Sequence, residues 1–166
     1  MQIGGHLKQM NNHINVLFVC LGNICRSPMA EAVFRHQVAE REMKEQITVD
    51  SAGTGDWHVG KPPHEGTLNQ LTMHGISSDG LFARTVQGED FTQFDYIVCM
   101  DDSNEQNLRR LPGGGEADIL KFMDLLPDEL QREVPDPYFT GNFEEVYRLI
   151  NAGCEKLLDK IVEERL

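Results

Sequence analysis

The chain has no run approaching the ~18 consecutive apolar residues that a membrane-spanning helix needs. Its first residues also lack the apolar core of a secretory leader. These two absences set the expectation of a cytoplasmic protein with no membrane partner. Positive charge is scarce too: 15 Lys and Arg stand against 27 Asp and Glu, a formal net charge of −12. A field of that sign repels nucleic acid and anionic lipid, so no nucleic-acid partner is expected. Any phosphate the protein binds must be held by a small local cationic site, against the overall field. Cysteines number four, Cys20, Cys25, Cys99 and Cys154, with no C-x-x-C and no H-x-x-x-H spacing among the residues. Zinc patterns are therefore absent, and a reducing compartment excludes a disulfide framework. That leaves each cysteine to packing or to chemistry. Aromatic residues are few, which draws attention to Trp57, Tyr138 and Phe139, all in segments rich in loop-forming residues.

What is present reads as one domain. Residues 1–14 form a polar segment containing Gly4, Gly5, Asn11 and Asn12, expected to be a poorly ordered tail, and residues 15–166 the domain. Asn15 to Cys20 is a continuous apolar run, the mark of a strand buried on both faces. Ser27 and Pro28 then read as the cap and first residue of a helix reaching about Lys44. Further strands are expected at Ile47–Ser51, Tyr96–Met100 and Ile119–Met123, and further helices at His64–His74, from Asp102 or Ser103 to about Leu111, and at Phe143–Leu166. Gly53–Pro63 and Pro127–Gly141 read as loops. Strands alternating with helices imply an α/β fold, a three-layer sandwich around a four-stranded parallel sheet. In such sheets ligands bind beyond the carboxyl ends of the strands, and the loop after the first strand lies there.

That loop runs Cys20-Leu21-Gly22-Asn23-Ile24-Cys25-Arg26, followed by Ser27. A short strand-to-helix turn can aim several backbone amides at one centre, reinforced by the helix N-terminus, and so make an anion nest. Gly22 and Asn23 tolerate the backbone angles required. Arg26 can curl over the cup and hold two phosphate oxygens with its planar fork. A cysteine closing an apolar strand is ordinarily a small buried hydrophobe. Here the same nest favours a thiolate, and Ser27 can donate its hydroxyl hydrogen to the sulfur. Cys20 is thus a nucleophile that needs no histidine base. In the later loop, the aspartate of Asp136-Pro137-Tyr138-Phe139 stands before a proline, ordinarily the place of a turn residue.

The stretch from Val16 through Cys20, Arg26 and Ser27 to Ala32 resembles the signature of the low-molecular-weight protein tyrosine phosphatases. The resemblance extends through Asp50-Ser51-Ala52-Gly53-Thr54, His74-Gly75-Ile76, Cys99-Met100-Asp101 and Asp136-Pro137-Tyr138, about Val16 to the C-terminus. It implies a C-x5-R phosphate loop in which Cys20 is the nucleophile, Arg26 the phosphate clamp and Asp136 the general acid. The loop residues Leu21, Gly22, Asn23, Ile24, Cys25 and Ser27 would wrap the phosphate. Asn23, Ser51 and His74 would form a network that fixes the loop and, through Ser27, the thiolate. Trp57, Tyr138 and Phe139 would wall a cleft for a flat aryl ring; members of the family commonly carry a second tyrosine where Phe139 stands. Cys25 would trap an oxidised Cys20 as a disulfide. The reaction would be hydrolysis of phosphotyrosine in proteins through a phosphocysteine, with no cofactor, by a monomer.

Four other readings remain open to the sequence. Arsenate reduction on a similar fold needs two more cysteines close together, whereas Cys99 and Cys154 lie far apart, each within an element. A phosphocarrier domain must keep its phosphocysteine intact, which an arginine clamp and an acid/base aspartate oppose. A silent phosphate-binding module would not need the full catalytic set. Some bacterial relatives act on phosphoarginine and carry threonine where this chain has Ile24; the isoleucine, with Trp57 and Tyr138, points to an aryl phosphate.

Overall fold

The computed structural model describes residues 13–166. Four strands, β1 (Ile14–Cys20), β2 (Ile47–Gly53), β3 (Tyr96–Cys99) and β4 (Ile119–Lys121), alternate with α1 (Arg26–Glu40), α2 (Glu65–Met73), α3 (Asp90–Gln93), α4 (Asp102–Arg109), α5 (Pro137–Thr140) and α6 (Phe143–Arg165). All strand pairs are parallel, in the order β2-β1-β3-β4. Of the poorly ordered tail expected at residues 1–14, residues 1–12 lie outside the described residues. Ile14 belongs to β1, where it pairs with Ile47.

The apolar run of β1 is buried on both faces because it is central. Val16, Phe18 and Cys20 face one core with Met29, Val33 and Phe34 of α1, Leu71 of α2 and Leu149, Ile150 and Leu157 of α6. Leu17 and Val19 face a smaller core with Ile97, Cys99 and Leu108 of α4. The alternation of one strand thus divides the two faces of a three-layer sandwich. Among the described residues no helix is long and apolar enough to cross a membrane.

Several boundaries differ from the sequence reading, each for a local reason. Helix α1 starts at Arg26, with Cys25 at the cap position and no side-chain cap bond. Ser27 is not the cap, because its hydroxyl is engaged with Cys20 and Asn23. The helix stops at Glu40 rather than Lys44. There Glu42 takes a left-handed φ of 58°, and Met43 packs back against the core. Strand β4 ends at Lys121. Phe122–Leu125 then form a 3-10 turn, which puts Phe122 and Met123 into the same core. The proline-rich loop contains the short helix α5, capped by Asp136 with Pro137 in its first turn.

Phe122 closes against α6 at Gly153. A Cβ there would stand 2.2 Å from Phe122 Cε2. Gly153→Ala is therefore expected to destabilise the fold by about 1–3 kcal/mol through overpacking. The check is a lower urea midpoint at unchanged slope.

Candidate active site

Strand β1 has β2 on one side and β3 on the other. The chain's connections therefore diverge at its carboxyl end, which opens a crevice there. Cys20 ends β1 in this crevice. The carbonyls of the loop that follows are tied outward: Thr54 N donates to Cys20 O at 3.0 Å, Gly55 N to Leu21 O at 2.8 Å and His64 N to Ile24 O at 2.7 Å. Thr67 Oγ1 donates to Cys25 O at 3.0 Å. Asn23 has a left-handed φ of 57°, the backbone state that turns successive amides toward one side. None of the amides from Leu21 to Cys25 donates to an acceptor among the described residues. The loop thus presents its donors to the cup and its acceptors to the scaffold.

Arg26 is buried, and one nitrogen of its guanidinium donates to Asp101 Oδ2 at 2.7 Å and Val134 O at 3.0 Å. The other terminal nitrogen faces Asp136 Oδ2 at 3.3 Å. Its Nε is a buried donor with no acceptor among the described residues. Burial acts to lower Arg26, but Cys20, Asp101 and Asp136 outweigh it and hold the guanidinium above its ordinary value. Asp136 comes from the other end of the sequence. Its Oδ1 accepts from Tyr138 N at 3.1 Å, so the same carboxylate that caps α5 faces the arginine.

Beneath the cup, Cys20 Sγ lies 2.9 Å from Ser27 Oγ. Asn23 Nδ2 donates to Ser27 Oγ at 2.8 Å and to Ser51 Oγ at 3.0 Å. Because the serine oxygen already accepts from Asn23, its own hydrogen is free for the sulfur. Cys25 is also buried in the loop. Burial first, then the negative charges of Cys20 and Asp136, push its thiol up to about 12.

The structure brings together Cys20, Arg26, Asp136, Asn23, Ser27 and Ser51, but not His74. The ring of His74 bonds Gln70 O through Nδ1 at 2.9 Å and stacks on Tyr147 at 3.8 Å and 13°. As the residue closing α2, it binds a helix-end carbonyl and covers α6, so the expected place in the network is corrected. Ser51 donates instead to Glu31 Oε1 at 2.6 Å.

Above the cup, a cavity of about 370 Å³ is lined by Trp57, Tyr138, Phe139, Ile24 and His58, with Cys20 and Arg26 at its base. Trp57, Tyr138 and Phe139 are 65%, 53% and 76% exposed, too open for core packing. Tyr138 and Phe139 meet edge to face at 5.3 Å. His58 sits close over the loop: a Cβ on Gly22 would stand 3.0 Å from its ring.

Four residues of the site escaped sequence reasoning: Asp101, Glu31, Arg84 and His58. Asp101 had a signal, a carboxylate ending a buried strand on the ligand side of the sheet. Glu31 had one too, since it lies four residues after Ser27 on the same helix face. Arg84, whose backbone N donates to Asn23 Oδ1 at 2.9 Å, carried none, because the contact is made by main chain.

A parallel α/β domain with a thiol at the base of an anion cup, an arginine over it and a carboxylate at its rim defines a cysteine-dependent phosphate-handling class. Comparison with known proteins specifies it further. The family model for low molecular weight phosphotyrosine protein phosphatase matches residues 15–166. The low molecular weight protein-tyrosine-phosphatase YfkJ of Bacillus subtilis is 52% identical over 153 residues, 92% of this chain and 98% of that protein. PtpA of Staphylococcus aureus, of the same description, is 44% identical over 151 residues, 91% and 96% of the two chains. The crystal structure of YfkJ superposes with a TM-score of 0.90 over 93% of this chain and 98% of its own. The chain belongs to the low molecular weight phosphotyrosine protein phosphatase family.

Proposed function

We propose that the protein hydrolyses phosphotyrosine in proteins through a phosphocysteine on Cys20. The observation that carries this reading is the cup itself: a sulfur within reach of a hydroxyl donor, with loop amides and an Arg26 Nε that have no acceptor among the described residues. The Cys20 thiolate attacks phosphorus while the bond to the tyrosyl oxygen breaks, and Asp136 gives that oxygen its proton. Loop amides and Arg26 hold the three equatorial oxygens. Water then attacks the phosphocysteine, Asp136 takes its proton, and phosphate leaves with the thiolate restored. Ser27 steadies the departing sulfur by hydrogen bond. Ile24 with Trp57, Tyr138 and Phe139 gives the cavity apolar walls suited to an aryl ring.

Residues 15–166 act as one domain in this reading, and the enzyme works as a monomer on cytoplasmic phosphoproteins. Four free, buried cysteines suit a reducing compartment. The test is turnover with chelator present on a phosphotyrosine peptide and on matched phosphoserine and phosphoarginine peptides. Preference for phosphotyrosine is expected. Faster release from phosphoarginine, or turnover only of arsenate in a thioredoxin-coupled assay, overturns the reading.

The protonated Cys25 does not compete as a nucleophile in the resting enzyme. After peroxide converts the Cys20 thiolate to sulfenic acid, the Cys25 thiol condenses with it, forming the disulfide and releasing water. Peroxide-treated wild type is expected to regain most activity with dithiothreitol, and Cys25→Ser little. Equal recovery removes the redox role.

A further inference from the structure

The sulfur of Cys20 stands at one end of a buried relay whose other end is a carboxylate with no part in the reaction above. The relay has a determined direction. Arg84 N donates to Asn23 Oδ1 at 2.9 Å, which fixes that amide, so both hydrogens of its Nδ2 point to Ser27 Oγ and Ser51 Oγ. Ser51 then accepts from Asn23 and must donate its own hydrogen elsewhere; it does so to Glu31 Oε1 at 2.6 Å. Arg35 donates to the other oxygen of Glu31. Asn23, Ser27, Glu31 and Ser51 are all buried, so water does not substitute for a missing partner. Each bond thus takes its sense from the ends: acceptor at Glu31, acceptor at Cys20.

We propose, resting on the reading of Cys20 as nucleophile, that Glu31 is a positioning residue: its ionised carboxylate, acting through Ser51 and Asn23, keeps the Ser27 hydroxyl hydrogen on the Cys20 sulfur. A proton on Oε1 reverses the first link. Ser51 would then receive two donors and its own hydrogen would find no acceptor. The hold of Asn23 on Ser27 weakens, and the Ser27 hydroxyl is free to turn away from the sulfur. The charged groups that bear on Glu31 are Arg35 from its own helix and Asp50 from β2, the latter paired with Arg84 at 3.1 Å. Burial, the largest influence, carries the carboxyl up to about 6, against the hydrogen bond from Ser51 and the charge of Arg35. The relay therefore changes state in mild acid.

The test compares wild type, the near-isosteric Glu31→Gln and the conservative Glu31→Asp. The readouts are the rate of Cys20 alkylation by iodoacetamide, located by mass spectrometry, and kcat and KM for p-nitrophenyl phosphate, each across mildly acidic to neutral pH. At neutral pH, Glu31→Gln is expected to slow alkylation and kcat about three- to tenfold, the worth of one hydrogen bond, with KM little changed. The ratio of wild type to Glu31→Gln should shrink toward one as pH falls through about 6, because the wild-type carboxyl becomes neutral like the amide. Glu31→Asp should recover part of the rate. A folded Glu31→Gln that matches wild type throughout, or a ratio independent of pH, overturns the proposal. If Glu31→Gln does not fold, Ser51→Ala cuts the same relay; wild-type alkylation and turnover in that variant would likewise overturn it. Turnover that survives in Cys20→Ser would instead sink the nucleophile reading beneath it.

Discussion

Cys20→Ser is expected to lower kcat for phosphotyrosine peptide and p-nitrophenyl phosphate by about 10⁴-fold or more, the scale seen when a nucleophile is removed from a site that otherwise remains intact. The size follows from how the site activates its nucleophile. Among the described residues no base hydrogen-bonds the Cys20 sulfur: Ser27 accepts from Asn23 and so donates to it. That arrangement favours a thiolate at the sulfur and leaves a serine hydroxyl unionised. Cys25 cannot step in, since burial and its negative neighbours hold its thiol at about 12. Binding should survive. The loop amides and Arg26, which make the anion cup, do not depend on the sulfur, and its loss removes a negative charge from beneath the phosphate. Inorganic phosphate is therefore expected to bind Cys20→Ser at least as well as wild type by calorimetry. Lost turnover with retained binding assigns the sulfur to chemistry. Lost binding would show that the variant had disturbed the cup, and retained turnover would exclude Cys20 as nucleophile.

The parts legible in the sequence are those set by short-range pattern. The apolar run of β1, the Gly22-Asn23 turn and Arg26 lie within a few residues of one another, and each has a local physical reason visible in the letters. The sheet followed from alternation of strand and helix. Long-range pairing was less legible. Asp136 reached the site on the strength of the resemblance, and Asp101, which holds Arg26 at 2.7 Å, went unassigned because the helix start was read at Asp102 or Ser103. Asp101 is in fact the cap: its other oxygen accepts from Asn104 N at 2.8 Å. His74 was misplaced because a histidine beside a turn glycine looks the same in sequence whether it faces the network or the helix end.

Glu31 shows why function is hard to read from pattern alone. A carboxylate on the buried face of a helix contradicts the helix's apolar logic, and such conflicts gather at functional sites. Its burial carries a cost with a definite sign. The folded chain binds a proton at Glu31 more readily than the unfolded chain does. The stability this contributes is whole below the ordinary carboxylate range and is lost as pH rises through about 6. The fold gives up that stability at neutral pH, where the ionised carboxylate orders the relay to Cys20.

Asp136→Ala is expected to reduce kcat/KM for a phosphotyrosine peptide by about 10²–10³-fold, within the range general acid catalysis supplies. The loss should depend on the leaving group. Tyrosine leaves as a phenol of pKa about 10 and needs a proton as the bond to phosphorus breaks. p-Nitrophenol is far more acidic and leaves largely unaided, so its kcat/KM should fall much less. The pH profile separates this role from mere support of Arg26. In the wild type the acid must carry its proton for the first step, so the rate declines on the basic side of the profile. Without Asp136 that declining limb should vanish. The second step supplies an independent sign. Water attacking the phosphocysteine loses the base that would take its proton, so with p-nitrophenyl phosphate the intermediate should accumulate. A burst of p-nitrophenol equal to the enzyme concentration, followed by a slow steady state, is then expected. If Asp136 acted only through its contact with Arg26 at 3.3 Å, both substrates would lose equally, the limb would remain and no burst would appear. Asp136→Asn discriminates further: the amide can still cap α5 but can neither give nor take the proton, so it should behave as alanine in turnover while preserving the loop.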